Sequence, residues 1–246
     1  MHLNECEKLT TQLNSAVSIN DIESLCEQFC QLFSFEYYVF AICKVTSLVS
    51  PNITSLSNYP SDWLETYWEQ DCQKHDPVVK YSFENTAPIR WDKLVERKEY
   101  ISPEGLTIMQ NASEMGLVNG LSIPYKAHTG EISVFSLSTN NSEDIDNRML
   151  SAIFPAQSFG SHLFNNITRI KNAEQSEKSK KLTPREIECL FWACEGKTTW
   201  EISKIIKVSE RTAIFHLTGA TQKLGATNRQ HAVAKAILGG LIQPRL

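Results

Sequence analysis

Residues 183–224, TPREIECLFWACEGKTTWEISKIIKVSERTAIFHLTGATQKL, contain three helix start signals in close succession. Thr183 and Thr198 each precede a glutamate by three residues, which is the spacing of a capping box. Ser209 is a third N-cap residue, and Gly196 is placed to end the first helix. Two short helices joined by the three-residue turn that ends at Ser209 are typical of a helix-turn-helix motif.

The charge of the chain is unevenly distributed. Residues 182–246 carry 9 Lys and Arg against 5 Asp and Glu, a net charge of +4, while residues 1–181 have a net charge of −8. A fourth helix over Asn228–Leu238 completes the tail, which we predict to be an all-α four-helix helix-turn-helix domain. Because only this domain is basic, it is the part expected to contact a polyanion such as double-stranded DNA.

The helix that follows Ser209 has two contrasting faces. Its apolar face consists of Ala213, Leu217, Ala220 and Leu224. We predict that this face packs on Ile202 and Ile205 of the preceding helix. The opposite face mixes Arg, Gln and Thr with Ile and Phe, as expected of a helix that lies in the major groove. The residues of that face are Arg211, Ile214, Phe215, Thr218 and Gln222.

Sequence alone leaves the role of this outer face open. Arg and Gln can form paired hydrogen bonds with base edges, and Ile214 can contact a thymine methyl group. Arg211 and Gln222 could equally be ordinary solvated side chains. The residues predicted to hold phosphates around the helix are Lys197, Lys204, Lys223 and Arg229.

Residues 1–170 mix helical and strand patterns, and we predict an α/β/α sandwich with an antiparallel sheet for this part. Phe35–Val45 is rich in aromatic and β-branched residues, which is typical of a strand. Leu121–Lys126 and Glu131–Thr139 are predicted to form a hairpin across Ala127–Gly130. A long helix is predicted over Ile145–Ile170, and Pro155 is expected to kink or interrupt it.

The segment between the two parts has the composition of a linker. Residues 171–181 are polar and charged, with no large apolar side chain. We therefore predict a small-molecule-binding domain over residues 1–170, a linker over residues 171–181 and a DNA-binding domain over residues 182–246. The fold class of the whole chain is α+β.

Residues 58–91, NYPSDWLETYWEQDCQKHDPVVKYSFENTAPIRW, include four large aromatic side chains and one carboxylate that we select as candidates for a ligand site. They are Tyr59, Trp63, Tyr67, Asp76 and Trp91. The first three recur every four residues, so they share one face around the start of a helix. Such a set suits a cavity for a ligand with an apolar tail and a small polar head. A plain aromatic core, with Asp76 as the N-cap of a helix that begins at Pro77, explains the pattern equally well.

Several classes of protein are disfavoured. Seven scattered cysteines without a CxxC pair are expected to be reduced thiols, and we expect no metal and no cofactor. The sequence has no GxSxG or metal-spaced histidines, and His75, Asp76 and His128 are the only polar candidates for catalysis. No apolar run of about 18 residues and no secretory signal occur, so we expect a cytoplasmic protein without membrane contact.

The tail, LTPREIECLFWACEGKTTWEISKIIKVSERTAIFHLTGATQKLGATNRQHAVAKAI, resembles the DNA-binding domain of LuxR-type regulators. The positions that carry the likeness are Glu186, Leu190, Gly196, Ser209, Thr212, His216, Lys223 and Leu224. By this resemblance Thr212 joins the predicted DNA contacts. Two positions depart from the family pattern: Ala213 replaces a usual valine, and Gly219 lies within a helix, where glycine costs up to about 1 kcal/mol.

The resemblance extends to the first domain. Residues 58–91, with GLVNGLSIP at 116–124 and GEISVFSLS at 130–138, are similar to the acyl-homoserine lactone receptors of the LuxR family. The likeness implies that Trp63 donates its indole N–H to the lactone carbonyl and that Asp76 accepts the ligand amide N–H. The other residues of the implied site are Tyr59 and Ser136, which hold the acyl carbonyl, and Tyr67 and Trp91, which form walls.

The same resemblance implies a quorum-sensing mechanism. The ligand-bound protein would form a homodimer, bind promoter DNA at half-sites about one DNA turn apart and activate transcription, with RNA polymerase as a further partner. Two alternatives stay open. The same scaffold could respond to a different small metabolite or act without a ligand, or the chain could be an enzyme that processes lactones.

Overall fold

The structure, a computed structural model, describes residues 3–45, 51–127, 130–176 and 181–244. These residues form two compact units, a larger one built mainly on residues 3–174 and a smaller one built mainly on residues 181–244. Residues 128–129 of the predicted hairpin turn and residues 177–180 of the predicted linker lie outside the described residues. Within the described ranges, no helix is both long enough and apolar enough to cross a membrane.

The larger unit combines strands and helices in an interleaved order. Its described strands are β1 (Tyr37–Lys44), β2 (Asn52–Ser57), β3 (Ile89–Arg90), β4 (Asn119–Lys126) and β5 (Ile132–Thr139). Its described helices are α1 (Leu3–Ser15), α2 (Ile19–Leu32), α3 (Ser61–Glu69), α4 (Pro77–Glu84), α5 (Trp91–Leu94), α6 (Pro103–Glu114) and α7 (Ile145–Ser176), with a 3-10 turn at Cys72–Lys74.

The strands form one sheet in the order β2-β1-β5-β4-β3. The pairs β1 with β5, β5 with β4, and β4 with β3 are antiparallel. The pairing of β4 with β5 confirms the predicted hairpin. The sequence pattern does not reveal β3, because a strand of two residues is too short to show a period.

Helices cover both faces of the sheet, which confirms the predicted α/β/α sandwich. On one face, Phe135 and Leu137 of β5 are fully buried against α1, α2 and α7. On the other face, Val134 is buried beside α3 to α6. β5 is consequently buried at seven of its eight positions, although four of those seven are Ser or Thr, so the fold encloses several hydroxyl groups.

Helix α7 is not interrupted at Pro155 and extends to Ser176, six residues beyond the predicted end. A proline inside a helix costs about 3 kcal/mol, whereas a buried Phe or Leu contributes about 1.5–3 kcal/mol. Phe159 and Leu163 of α7 are almost completely buried, and burial of this size offsets the cost of Pro155. The predicted interruption is therefore wrong, because tertiary packing outweighs the local preference.

The smaller unit contains only helices among its described residues. They are α8 (Pro184–Cys194), α9 (Thr199–Ile205), α10 (Glu210–Lys223) and α11 (Arg229–Leu238). Thr183 and Thr198 form both predicted capping boxes, and the Ser209 hydroxyl accepts the backbone N–H of Thr212 to cap α10. The four-helix prediction is confirmed.

The core of the smaller unit differs from the prediction at one position. As predicted, Ala213 and Leu217 of α10 are buried against Ile202. Ile205, however, is 39% exposed, and Ile206 is buried in its place. Ile206 is the C-cap residue of α9, and the turn of the chain at the helix end directs it into the core.

A buried carboxylate joins α8 to α10. Glu186 accepts the backbone N–H of Thr183 at 2.7 Å and forms an ion pair with Lys223 Nζ at 2.8 Å. Gly219 leaves room for this carboxylate, since a Cβ there would lie 2.8 Å from Glu186 Oε1. Burial raises the pKa of Glu186, but the hydrogen bonds from Lys223 and Thr183 lower it by more, and the net pKa is below its ordinary value.

Glu186→Gln is expected to reduce the acid sensitivity of the smaller unit. Because the folded-state pKa is lower than the unfolded-state pKa of 4.5, the stabilisation is complete above that value and is lost as the pH falls through the folded-state pKa. The free energy of unfolding of the full chain in urea, followed by ¹⁹F signals of Trp192 and Trp200, should fall less on acidification in the variant. Glu195→Gln, at an exposed position, is the matched control. Equal pH dependence in Glu186→Gln and the wild type would contradict this assignment.

Candidate functional site

A cavity of about 100 Å³ lies within the larger unit, between the sheet and helices α3, α4 and α6. All six residues that the sequence predicts for a ligand site line it: Tyr59, Trp63, Tyr67, Asp76, Trp91 and Ser136. The remaining lining residues are apolar: Val39, Ala41, Leu64, Val78, Val79, Ile108, Met109, Ala112, Leu117 and Val134. The cavity is therefore a largely apolar space with a small number of polar groups.

Asp76 serves as a helix cap and also lines the cavity. Its Oδ1 accepts the backbone N–H of Val78 at 2.7 Å, at the start of α4, and its Oδ2 accepts the hydroxyl of Tyr67 at 2.7 Å. Burial raises the pKa of Asp76, and these hydrogen bonds counter only part of that rise. The two interpretations of Asp76 left open by the sequence are thus compatible, because the N-cap position places the carboxylate at the cavity wall.

Tyr67 holds Asp76 in place. Burial raises the pKa of Tyr67, and the neighbouring carboxylate raises it further, so the phenol stays protonated and donates to Asp76. Trp63 lies one helical turn before Tyr67 on α3, with ring centroids 5.8 Å apart. The four-residue spacing of the sequence therefore brings these rings together at one wall.

Trp91 uses its polar atom within the protein. Its indole N–H donates to Ser122 Oγ at 2.8 Å, and Ser122 Oγ lies 2.8 Å from Ser136 Oγ. Gly120 allows the indole to lie against β4, since a Cβ at that position would be 2.1 Å from the ring. Ser122 is absent from the sequence-based set. Its position two residues after Gly120 places both on one face of a strand, which is the signal that would have revealed it.

Two polar groups of the cavity wall have no partner in the described part of the chain. The Tyr59 hydroxyl is buried and makes no hydrogen bond of normal geometry, although the Ser138 hydroxyl lies near it, and burial raises its pKa, so it stays a neutral donor. The indole N–H of Trp63 forms no hydrogen bond with any described residue. An unpaired buried donor such as the Tyr59 hydroxyl costs free energy, and both residues line the cavity, where their donors can bind a ligand acceptor.

In the smaller unit, α10 presents its outer face to solvent. The exposed residues are Arg211, Ile214, Phe215, Thr218 and Gln222. Phe215 is 72% exposed and Ile214 is 51% exposed, an apolar surface that favours a binding partner. Thr212 is half-buried, and its hydroxyl is hydrogen-bonded to that of Ser209 at 2.7 Å.

The predicted phosphate-binding residues lie in different settings. Lys204 is exposed and Lys197 is half-buried. Lys223 pairs with Glu186, so a phosphate would compete with that carboxylate. Arg229 donates to the backbone carbonyl of Lys197. These DNA contacts stay predictions.

Comparison with known proteins identifies both parts of the chain. Residues 18–167 match the autoinducer binding domain, and residues 180–236 match the domain of bacterial regulatory proteins of the luxR family. The chain is 37% identical to the transcriptional activator protein VanR of Vibrio anguillarum over 240 residues, which cover 97% of this chain and 98% of VanR. The chain belongs to the LuxR family of bacterial regulators.

Other relatives agree with this membership of the LuxR family. The transcriptional activator protein LuxR of Aliivibrio fischeri is 35% identical over 243 residues, 98% of this chain and 96% of that protein. Escherichia coli SdiA has a TM-score of 0.82 at 20% identity, covering 99% of this chain and 100% of SdiA. SdiA in complex with octanoyl-rac-glycerol has a TM-score of 0.83 at 19% identity, covering 99% of this chain and 97% of that chain. The SdiA structures support the fold.

LuxR-family membership makes the chain a transcription regulator with an autoinducer-binding domain and a DNA-binding helix-turn-helix domain, and not an enzyme. Of the residues considered for catalysis, His75 is exposed and His128 lies outside the described residues. Asp76 is engaged as a helix cap. Among the described residues, no group of three or more His, Cys, Asp or Glu is placed to hold a metal ion.

Gly120→Ala is expected to destabilise the larger unit by about 1–3 kcal/mol, since the added methyl group overlaps the Trp91 ring and overpacking costs this much. Urea unfolding of the full chain measures the change. In a Trp91→Ala background the same substitution should cost little, because the space beside β4 is then open. An equal cost in both backgrounds would show that the indole is not what requires glycine at this position.

Proposed function

We propose that this protein binds an N-acyl-homoserine lactone in the cavity of the larger unit and, as a homodimer, binds promoter DNA through α10 and activates transcription. It acts in the cytoplasm, where bacterial promoter DNA is found, with RNA polymerase as a further partner. We assign ligand binding to residues 1–170, the linker to residues 171–181 and DNA binding to residues 182–246.

The polar groups of the cavity wall carry this proposal. The indole N–H of Trp63 and the hydroxyls of Tyr59 and Ser136 can donate, whereas the ionised carboxylate of Asp76 can only accept. An N-acyl-homoserine lactone offers the complementary set, with carbonyl oxygens on the ring and the acyl chain and one amide N–H between them. The apolar remainder of the wall suits the acyl chain.

Each polar group then has a defined role. Trp63 donates to the lactone carbonyl, and Asp76 accepts the amide N–H in a hydrogen bond of about 1.5–3 kcal/mol. Because a new donor favours the ionised carboxylate, ligand binding lowers the raised pKa of Asp76. The residues that complete the site are Tyr59 and Ser136, which donate to the acyl carbonyl, and Tyr67 and Trp91, which form aromatic walls.

Ligand binding also stabilises the larger unit. A ligand that binds only the folded state at about 100 times its Kd adds about 2.7 kcal/mol to the free energy of unfolding. Its hydrogen bonds satisfy donors of Tyr59 and Trp63 that are otherwise unpaired in the described structure. The ligand therefore completes the packing and hydrogen bonding of the larger unit, and the folded, ligand-bound chain then forms the active dimer.

A second candidate ligand is suggested by the SdiA complex with octanoyl-rac-glycerol. An acylglycerol also has an acyl chain and a carbonyl oxygen, and its hydroxyl groups could donate to Asp76 in place of an amide. This alternative keeps the scaffold and changes the metabolite. A third possibility, action without a ligand, predicts no change in stability with either compound.

The outer face of α10 reads the promoter in this proposal. Arg211 and Gln222 bind base edges, Ile214 contacts a thymine methyl group, and Phe215 and Thr218 complete the contact surface. Thr212 lies at the start of the helix. Lys197 and Lys223 bind phosphates and position the domain, and Lys223 exchanges its internal partner Glu186 for DNA.

The outer surface of α7 is our candidate for the dimer interface. Leu150 and Phe154 lie one helical turn apart and are 63% and 78% exposed. Large apolar side chains exposed together favour association with another apolar surface. In a symmetric dimer, a second copy of the chain would place its own Leu150 and Phe154 against this surface. A dimer places two α10 helices on half-sites about one DNA turn apart.

Asp76→Asn and Arg211→Ala are expected to separate ligand binding from DNA binding. In a thermal-shift panel of lactones from butanoyl to dodecanoyl, Asp76→Asn should bind about tenfold or more weakly, since it loses a charge-assisted acceptor. Arg211→Ala should keep the full thermal shift and lose affinity for promoter DNA. Asp62→Asn, at an exposed position on α3, is the control. A wild type that responds to octanoyl-rac-glycerol but to no lactone would replace the proposed ligand by the second candidate.

Leu150→Glu with Phe154→Glu is expected to give a monomer that still binds the ligand. The substitutions place charges in the proposed interface and leave the cavity unchanged, so sedimentation velocity should show loss of the dimer and DNA binding should weaken. Leu106→Glu, at an exposed position of α6, is the control. A variant that remains a dimer would exclude this surface of α7 as the interface.

A further inference from the structure

Three polar side chains form a continuous hydrogen-bonded chain at the cavity wall. Ser122 of β4 lies directly opposite Ser136 of β5 in the strand register, and their hydroxyl oxygens are 2.8 Å apart. Trp91 Nε1 lies 2.8 Å from Ser122 Oγ. Ser122 is completely buried and Ser136 is 1% exposed, so neither hydroxyl is satisfied by bulk water. Of the two serines, only Ser136 lines the cavity.

The chemistry of Trp91 fixes the direction of this chain. An indole N–H can only donate, so Ser122 Oγ accepts from it. The hydroxyl proton of Ser122 still needs an acceptor, and Ser136 Oγ is the only other hydrogen-bond partner of Ser122 Oγ among the described residues. In either direction one of the two hydroxyl protons has no described acceptor, but only Ser136 lines the cavity, so a bound ligand can accept the proton of Ser136, whereas an unpaired proton on Ser122 would stay buried, which is unfavourable. Ser122 therefore donates to Ser136.

Ser136 is left with a proton and no acceptor in the described part of the protein. Its oxygen already receives the Ser122 proton, and its own O–H is directed to the cavity that it lines. Gly120 supports the arrangement from the other end, because the absence of a side chain there lets the indole approach Ser122.

We propose that Ser122 is a positioning residue that presents Ser136 as a hydrogen-bond donor to an acceptor oxygen on the acyl part of the ligand. The proposal rests on the proposed function for the identity of the ligand. A carbonyl oxygen at this point satisfies the chain. A methylene group or a group that can only donate leaves the Ser136 proton buried and unpaired, so the Trp91–Ser122–Ser136 chain selects for an acceptor oxygen, such as that of a carbonyl.

A double-mutant cycle tests the proposal. We would measure the Kd of the lactone that the wild type binds most tightly, for Ser122→Ala, Ser136→Ala and the double variant, each as the full chain. Each single variant should bind about 2- to 10-fold more weakly, as expected for one lost hydrogen bond. The double variant should match Ser136→Ala within about twofold, because Ser122 acts only through Ser136.

Controls separate this role from a purely structural one. Ser133→Ala removes a buried hydroxyl from the opposite face of β5, where Ser133 Oγ has no described partner, and should leave the Kd unchanged. If Ser122→Ala does not fold, Trp91→Phe removes the indole donor and should weaken binding more in the wild-type chain than in the Ser136→Ala variant. Unchanged binding in Ser122→Ala, or an equal loss with and without Ser136, would overturn the proposal.

The same measurements test the identity of the ligand and the role of Ser122 separately. Failure of the wild type to bind any lactone overturns the proposed function, and the cycle is then run with octanoyl-rac-glycerol, whose ester carbonyl is also an acceptor. Non-additivity with either compound supports the role of Ser122. If the wild type binds neither compound, the role of Ser136 as a ligand donor is overturned as well.

Discussion

A carboxylate enclosed by protein is unfavourable unless donors surround it, and the cavity of this LuxR-family chain is arranged around one such group. Asp76 caps α4 and accepts the Tyr67 hydroxyl of α3, so one side chain joins the two helices that form the wall. These two donors counter only part of the effect of burial on its pKa. The site is thus preorganised to receive one more N–H, and the binding role that we propose for Asp76 depends on the same atoms as its structural role.

The sheet imposes a related constraint on the opposite wall. Because helices cover both faces, the hydroxyls of β5 are shielded from bulk water, and only groups inside the protein or its cavity can satisfy them. Ser136 is hydrogen-bonded to Ser122, and Ser122 accepts the indole N–H of Trp91. Polar groups in a protein interior favour a defined arrangement when they are fully satisfied. Here the Ser136 proton has no described acceptor and Ser136 lines the cavity, so a bound ligand can complete this chain of hydrogen bonds.

The sequence predicts those features that depend on local chemistry. Capping boxes at Thr183 and Thr198 are short-range signals, and the four-residue spacing of Trp63 and Tyr67 within α3 is a helical one, so these helices and this part of the aromatic wall follow from pattern. Features that depend on packing do not. Pro155 within α7 and the burial of Ile206 in place of Ile205 are decided by what lies across the core. A local sequence pattern does not predict the role of Ser122, because its hydrogen-bond partner Trp91 is 31 residues away.

Gly219 of α10 has a consequence for how the regulator can change over evolutionary time. The glycine leaves room for Glu186, and the pairing of Glu186 with Lys223 anchors α10 to α8 from behind. The orientation of α10 relative to α8 is therefore set by residues on the side of α10 that faces α8, not by its solvent-exposed face. Arg211 and Thr218, which we propose as DNA contacts, can be exchanged without disturbing that anchor, so this proposal lets a lineage acquire new operator sequences while the ligand response and the scaffold are inherited intact.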